Sequence, residues 1–165
     1  MTTSKKYDAV IIGAGVIGAA TALELTRNGY KTLNIDKNPE AGYGSTSNSC
    51  AIIRVHYSTE HDTAFAYEGY YYWKNWEEYL GHKKTEGLSE FRETGCLIMK
   101  TDGNGNLEKV IANVKALSIP HEHWNPEKIK SQLPIYDLRQ YGPPKRMDDK
   151  NFGEPTGNQI NGAVF

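Results

Sequence analysis

The stretch YDAVIIGAGVIGAATALELTRNG, residues 7–29, constrains this chain more than any other. Tyr7–Gly13 is a short, β-branched apolar run ending in glycine, the pattern of a strand buried on both faces. Val16, Ala19, Ala20 and Leu23 then recur at i, i+3, i+4 and i+7, the stripe of an amphipathic helix, and Gly29 is its stop signal. KTLNID, Lys31–Asp36, reads as a second strand. Strand, helix and strand in immediate succession predict a parallel, right-handed unit.

Gly13-Ala14-Gly15-Val16-Ile17-Gly18 is GxGxxG. The pattern is weak alone, but here it falls at the junction of strand and helix, where its glycines have work to do. Gly13 permits a tight turn, Gly15 lets a diphosphate come close to backbone, and Gly18 lets helix and strand approach. Val16 and Ile17 open the helix, whose free N–H groups and positive dipole end suit phosphates. Asp36, ending the second strand, is placed to accept hydrogen bonds from an adenosine ribose. An acid there disfavours a 2′-phosphate, and hence NADP. A glycine-rich turn without ligand is the plainer alternative; strand, helix and acid together favour the dinucleotide. Ala22 and Gly29 extend the match to the longer GxGxxG-x3-(G/A)-x6-G form of flavin-binding proteins.

The chain's 165 residues suffice for one domain with a modest core. A net charge of −1 and a pI near 6.5 argue against a nucleic-acid or anionic-membrane surface. The N-terminal MTTSKKYDAV lacks the apolar core of a secretory signal, and no apolar run approaches the length of a membrane span. A cytoplasmic protein is the default. Cys50 and Cys96 form no CxxC pattern and are simplest as reduced thiols. A mean hydropathy of −0.63 implies long polar connections.

Beyond Asp36, residues 37–50 read as loop. A helix is expected over about Glu60–Leu80, with Phe65, Tyr72, Trp73, Trp76, Tyr79 and Leu80 as its core stripe and Tyr67, Tyr70 and Tyr71 left over for a partner segment or a cavity. Thr94–Lys100 reads as a strand entering an Asp-Gly-Asn-Gly turn. LEKVIANVKALSI predicts a helix, and PEKIKSQLP a short one with Pro126 at its start. Pro134–Gln159 is a long surface excursion, and INGAVF begins another strand. His121 and His123 flank Glu122, but no further ligand cluster accompanies them, so no metal site is expected. No Ser-His-Asp order or G-x-S-x-G elbow occurs.

The succession KNPEAGYGSTSNSCAIIRVHY after Asp36 resembles the FAD-dependent amine and amino-acid oxidoreductases: D-amino-acid oxidase, glycine oxidase, sarcosine oxidase and dimethylglycine dehydrogenase. The sarcosine oxidase branch is the nearest in pattern. The resemblance covers nearly the whole chain, including WEEYL, TGCLIM and Leu133-Pro134. It implies that Gly13, Gly15, Val16, Ile17 and Gly18 line the FAD diphosphate, with Asp36 and Lys37 at the adenosine ribose. Gly44, Ser45, Thr46 and Ser47 pass close to the flavin end. Arg54 falls where sarcosine oxidases bind the substrate carboxylate, and Tyr57 near the same pocket. Arg54 read from the residues alone is either such an anchor or one half of a structural ion pair. His56 is either a pocket residue or a structural histidine.

Three departures accompany the resemblance. Ala51 stands where sarcosine oxidases carry a second arginine. Thr46 and Ser47 replace their histidine pair. No histidine precedes His56, so a covalent flavin link through this segment is not expected. No acid or base of catalysis is assigned within the chain.

The resemblance implies an α/β fold: a Rossmann-like FAD-binding βαβ unit followed by the start of a mixed α+β substrate domain, incomplete without a C-terminal half. Residues 1–60 would belong to the FAD-binding domain, 61–133 to a helical cap and the start of the substrate sheet, and 134–165 to a loop and strand leading into that half. The expected protein is the N-terminal portion or subunit of an FAD-dependent oxidoreductase. It would oxidise a C–N bond of an amino acid or N-methylated amine by hydride transfer, and be completed by a second polypeptide in a hetero-oligomer. The alternatives are an NAD-dependent dehydrogenase and a non-catalytic nucleotide-binding subunit.

Overall fold

The computed structural model describes residues 5–81 and 87–165, so the 82–86 part of the expected 61–133 segment lies outside the described residues. The chain forms two compact units, residues 1–52 and 53–165.

In the first unit, β1 (Ala9–Ile12) and β2 (Thr32–Ile35) pair in parallel, from Ala9 opposite Thr32 to Ile12 opposite Ile35, and α1 (Val16–Arg27) connects them. Asn28 ends α1, its side-chain amide donating to the Glu24 carbonyl at 2.8 Å, and Gly29 turns the chain at φ +86°. At the start of β2, the Lys31 N–H donates to Asp8 Oδ2 at 2.7 Å. The strand–helix–strand expectation is met. The burial expected of β1 on both faces is not. Ala9 and Ile11 are half-buried, whereas Val10 is 57% and Ile12 87% exposed. A two-stranded sheet with one helix covers one face only, and so a strand of continuous apolar character shows alternating burial here.

The second unit contains α2 (Glu60–Lys74), α3 (Trp76–Leu80), β3 (Ile98–Met99), α4 (Leu107–Ala116), β4 (His123–Trp124), α5 (Pro126–Gln132) and β5 (Ala163–Val164). Its sheet runs β3-β5-β4, antiparallel throughout, with Ala163 opposite both Met99 and Trp124. β5 is central and wholly buried, which explains why INGAVF carries no polar alternation. Trp124, Ile129, Leu138 and Ala163 form the core, and Leu97, Met99, Leu133 and Ile160 pack against it. Phe165 stacks on Trp124 with ring centroids 4.4 Å apart. Asn125 caps α5, accepting the Lys128 N–H at 2.8 Å ahead of Pro126 at the first helical position.

The single helix expected over Glu60–Leu80 is two helices. Asn75 leaves the helical region at φ −111° and ψ 41°, and α3 starts after it. The aromatic stripe is not core: Phe65 is 81% and Tyr72 47% exposed, while Trp73, Trp76, Tyr79 and Leu80 are half-buried. Instead Trp73 stacks on Trp76 at 4.4 Å and Trp76 on Tyr79 at 5.6 Å. Helical spacing put these rings on one face, but only Thr63 of α2 becomes buried, so the rings cover one another.

The excursion from Pro134 is mostly exposed, as expected, yet it closes on itself. Gln140 N–H donates to the Asn158 carbonyl at 2.9 Å, Thr156 N–H to the Gln140 carbonyl at 2.8 Å, and Ile160 N–H to the Leu138 carbonyl at 2.8 Å. Asp137 accepts a forked pair from Arg139 and the Tyr141 hydroxyl, which hold its carboxyl well below the usual range. Among the described residues no helix is long and apolar enough to cross a membrane.

Candidate functional site

The glycine turn in the first unit is shaped by contacts finer than its motif. Gly13 lies at φ +110°, open to glycine and strained for other residues. A Cβ on Gly18 would stand 2.0 Å from the Gly13 carbonyl oxygen and 3.5 Å from Ile11 Cγ2. The third glycine of the motif is therefore the point where helix meets strand. The Ala14 N–H donates to Asp36 Oδ2 at 2.7 Å and the Asn38 N–H to Asp36 Oδ1 at 2.8 Å. These two backbone donors, Ala14 first, hold the Asp36 carboxyl below its ordinary range.

The loop after β2 folds back onto the same turn. Gly42 N–H donates to the Ala14 carbonyl at 2.9 Å. Thr46 Oγ1 accepts the Val16 N–H at 3.0 Å, and a Cβ on Gly15 would lie 2.9 Å from that oxygen. Ser47 turns inward to its own loop, its hydroxyl donating to the Gly44 carbonyl at 3.1 Å, with Asn48 Nδ2 on the same carbonyl at 2.9 Å. Ser45 and Lys37 are exposed, and Ile17 is 81% exposed. Gly13, Gly15, Val16, Gly18, Asp36 and Thr46 thus converge on one turn. The N–H groups of Gly15 and Ile17 have no acceptor among the described residues. Open donors at a helix start, beside a slot that only glycine fits, match what a diphosphate requires. On that chemistry the residues fit the phosphate part of FAD.

Sequence reasoning passed over Asn34, a polar residue inside β2. Its side-chain amide donates to the Gly13 carbonyl at 3.4 Å and the Gly18 carbonyl at 3.2 Å. An amide amid TLNI, where an aliphatic side chain is the norm, was the available signal.

In the second unit, Arg54, His56 and Tyr57 lie just before α2. The Arg54 guanidinium sits over the Tyr57 ring, 4.8 Å from its centroid. None of the ion pairs among the described residues includes Arg54. The Tyr57 carbonyl is held from two helices, by Thr63 Oγ1 of α2 at 3.2 Å and Asn113 Nδ2 of α4 at 3.0 Å. His56 Nε2 lies 3.7 Å from Cys96 Sγ. Burial, and then the positive charge of Arg54, lowers the His56 pKa; burial raises that of Cys96. Both are neutral near pH 7, an imidazole and a thiol beside the Arg54 guanidinium. From the sequence Cys96 reads only as a reduced thiol, since nothing in TGCLIM marks its spatial neighbour.

His121 Nδ1 contacts the Ile119 carbonyl at 2.9 Å, and His123 Nδ1 contacts Lys100 Nζ at 3.1 Å. No group of three or more His, Cys, Asp or Glu among the described residues is arranged to hold a metal.

The sequence matches the family of FAD dependent oxidoreductases over residues 8–145. It is 31% identical over 105 residues to a monomeric sarcosine oxidase from Arthrobacter sp. (strain TE1826), covering 62% of this chain and 25% of that protein. It is also 31% identical over 135 residues to a putative sarcosine oxidase from Caenorhabditis elegans, covering 81% of this chain and 33% of the relative. Among solved structures, the L-proline dehydrogenase from P. horikoshii superposes with a TM-score of 0.72 at 22% identity, over 98% of this chain and 37% of that one. The chain therefore spans about a quarter to a third of the length of these curated relatives.

Proposed function

The chain belongs to the FAD-dependent oxidoreductase family, of sarcosine oxidase and amino-acid oxidase type, and from that premise we propose that it carries the N-terminal portion of an enzyme oxidising the C–N bond of an amino acid or N-methylated amine. FAD is the family's cofactor. When bound, its flavin would accept a hydride from the carbon next to nitrogen, leaving an imine for water to hydrolyse. This chain's share is binding and orientation. The turn at Gly13–Gly18 holds phosphate, Asp36 the adenosine ribose with Lys37 beside it, and the Gly44–Ser47 loop runs toward the flavin.

One observation carries the substrate half of the reading. Arg54 is a guanidinium stacked on Tyr57 with no carboxylate of the described residues in ion-pair distance. An arginine serving only as a structural ion-pair partner would have its acid close by. A planar fork left open is suited to two oxygens of a substrate carboxylate, and the sarcosine oxidase relatives are named for such an amino acid. His56, neutral beside it, adds no second positive charge.

Exposed Val10, Ile12, Ile17 and Ile35 favour further polypeptide over the β1–β2 sheet. In our reading a C-terminal half on a second polypeptide supplies it, together with the rest of the flavin and substrate sites.

The test is Arg54→Lys in the assembled, flavin-bearing protein. Lysine keeps the charge but loses the fork, so KM for a carboxylate-bearing amine should rise about tenfold or more, with the flavin spectrum unchanged. An unaltered KM would remove Arg54 from the substrate site. An NAD-dependent activity with no bound flavin would replace the reading altogether.

A further inference from the structure

The Gly13 carbonyl and the Ala14 N–H are the two ends of a single peptide group, and β2 side holds both. Asn34 Nδ2 donates to the carbonyl at 3.4 Å, while Asp36 Oδ2 accepts the N–H at 2.7 Å. Asn34 and Asp36 are two residues apart in extended chain, so they project to the same side of the strand. From this juxtaposition we infer that Asn34 is a positioning residue for the cofactor's diphosphate. Together with Asp36 it fixes the orientation of the Gly13–Ala14 peptide.

The orientation matters because this peptide can rotate. Gly13 at φ +110° has no Cβ to resist a flip, and nothing lies within 4 Å of where one would be. Rotated by half a turn, the peptide would turn its carbonyl oxygen toward the Asp36 carboxylate, which repels it, and lose the Ala14 N–H bond. The turn that aims the open Gly15 and Ile17 N–H groups at a phosphate would shift with it. Asp36 alone grips only one end. Asn34 takes the other, and its second contact, 3.2 Å to the Gly18 carbonyl, ties that grip to the first turn of α1. The same amide therefore joins both ends of the glycine motif to β2. An aliphatic residue at position 34 would fill the space and supply no donor.

This inference rests on the cofactor reading above, and the experiment separates the two. The assembled protein freed of flavin, as wild type and as Asn34→Leu, is titrated at equilibrium with FAD, ADP and adenosine. Losing two long hydrogen bonds should weaken ADP and FAD binding about tenfold, while adenosine, which lacks phosphate, changes little. That phosphate-dependent loss is what a merely structural role would not give. Equal losses for ADP and adenosine, or no loss for either, would overturn the positioning role and leave the cofactor reading standing. A folded wild-type assembly that binds neither FAD nor ADP would overturn both. Should Asn34→Leu fail to fold, hydrogen exchange at the Asn34 side-chain amide of the wild-type chain decides. Protected amide protons support the clamp, and protons exchanging as freely as in a solvent-exposed asparagine refute it.

Discussion

At the residue scale, His56 is the group whose environment leaves the plainest signature. It is half-buried beside Arg54, and burial first, then the neighbouring positive charge, depresses its pKa from the ordinary 6.5. The unfolded chain then binds more protons than the folded one between that value and the lowered one. His56 therefore contributes stability that is complete above about pH 6.5 and is lost as pH falls through the window beneath. Titration followed by NMR should place the His56 midpoint below 6.5. Arg54→Gln should raise it only part of the way, because burial is the larger cause. A midpoint at or above the ordinary value would contradict the geometry. The sequence showed Arg54, His56 and Tyr57 within four positions, but the guanidinium without an ion pair among the described residues and the Cys96 thiol 3.7 Å from His56 depend on which distant residues come near.

At the scale of elements, helix ends were the most legible features because their signals are local. Pro126 opens α5, Gly29 follows α1, and both lie where the sequence predicts. The end of α4 is less orthodox. Ser118 N–H donates to the Lys115 carbonyl at 3.1 Å and Ile119 N–H to the Val114 carbonyl at 2.8 Å, the two bonds of a Schellman motif. Its left-handed position, φ +53°, is filled by Ser118 where glycine is the rule. Ser118→Gly should stabilise the chain by about 0.5–1 kcal/mol, the relief of left-handed strain exceeding the glycine's added entropy in the unfolded chain. Chemical denaturation measures this, and a lower midpoint would show that the serine side chain matters to the turn. The break at Asn75 was not legible, since the helical stripe runs on through WEEYL.

For the whole molecule, the telling quantity is the aliphatic surface of the first unit. Ile12, at 87% exposure, belongs to a strand whose sequence reads as buried on both faces, and Ile17, at 81%, to the first turn of an amphipathic helix. Water contact with such surface is costly, roughly 25 cal/mol for each Å², and favours any polypeptide able to cover it. Purified alone, the chain should retain no flavin absorption through gel filtration. Co-expressed with the polypeptide that completes it, it should elute yellow. A stable yellow chain on its own would end the two-polypeptide proposal while leaving the family and its cofactor in place.

The amino-acid sequence by itself determined the βαβ unit and the glycine turn with its acid, because each rests on short-range spacing: apolar period, turn residues and helix stops within a few positions. The family was legible as a resemblance carried by motifs along nearly the whole chain. Tertiary structure alone decided which side chains meet. It carried Thr46 to the Val16 N–H, set Asn34 behind the turn, brought Cys96 to His56 and left Arg54 without an ion pair among the described residues. It also decided that the aromatic stripe running from α2 into α3 would stack upon itself rather than enter a core. Periodicity specifies which face a residue occupies; what lies opposite that face is fixed by contacts between segments far apart in the chain.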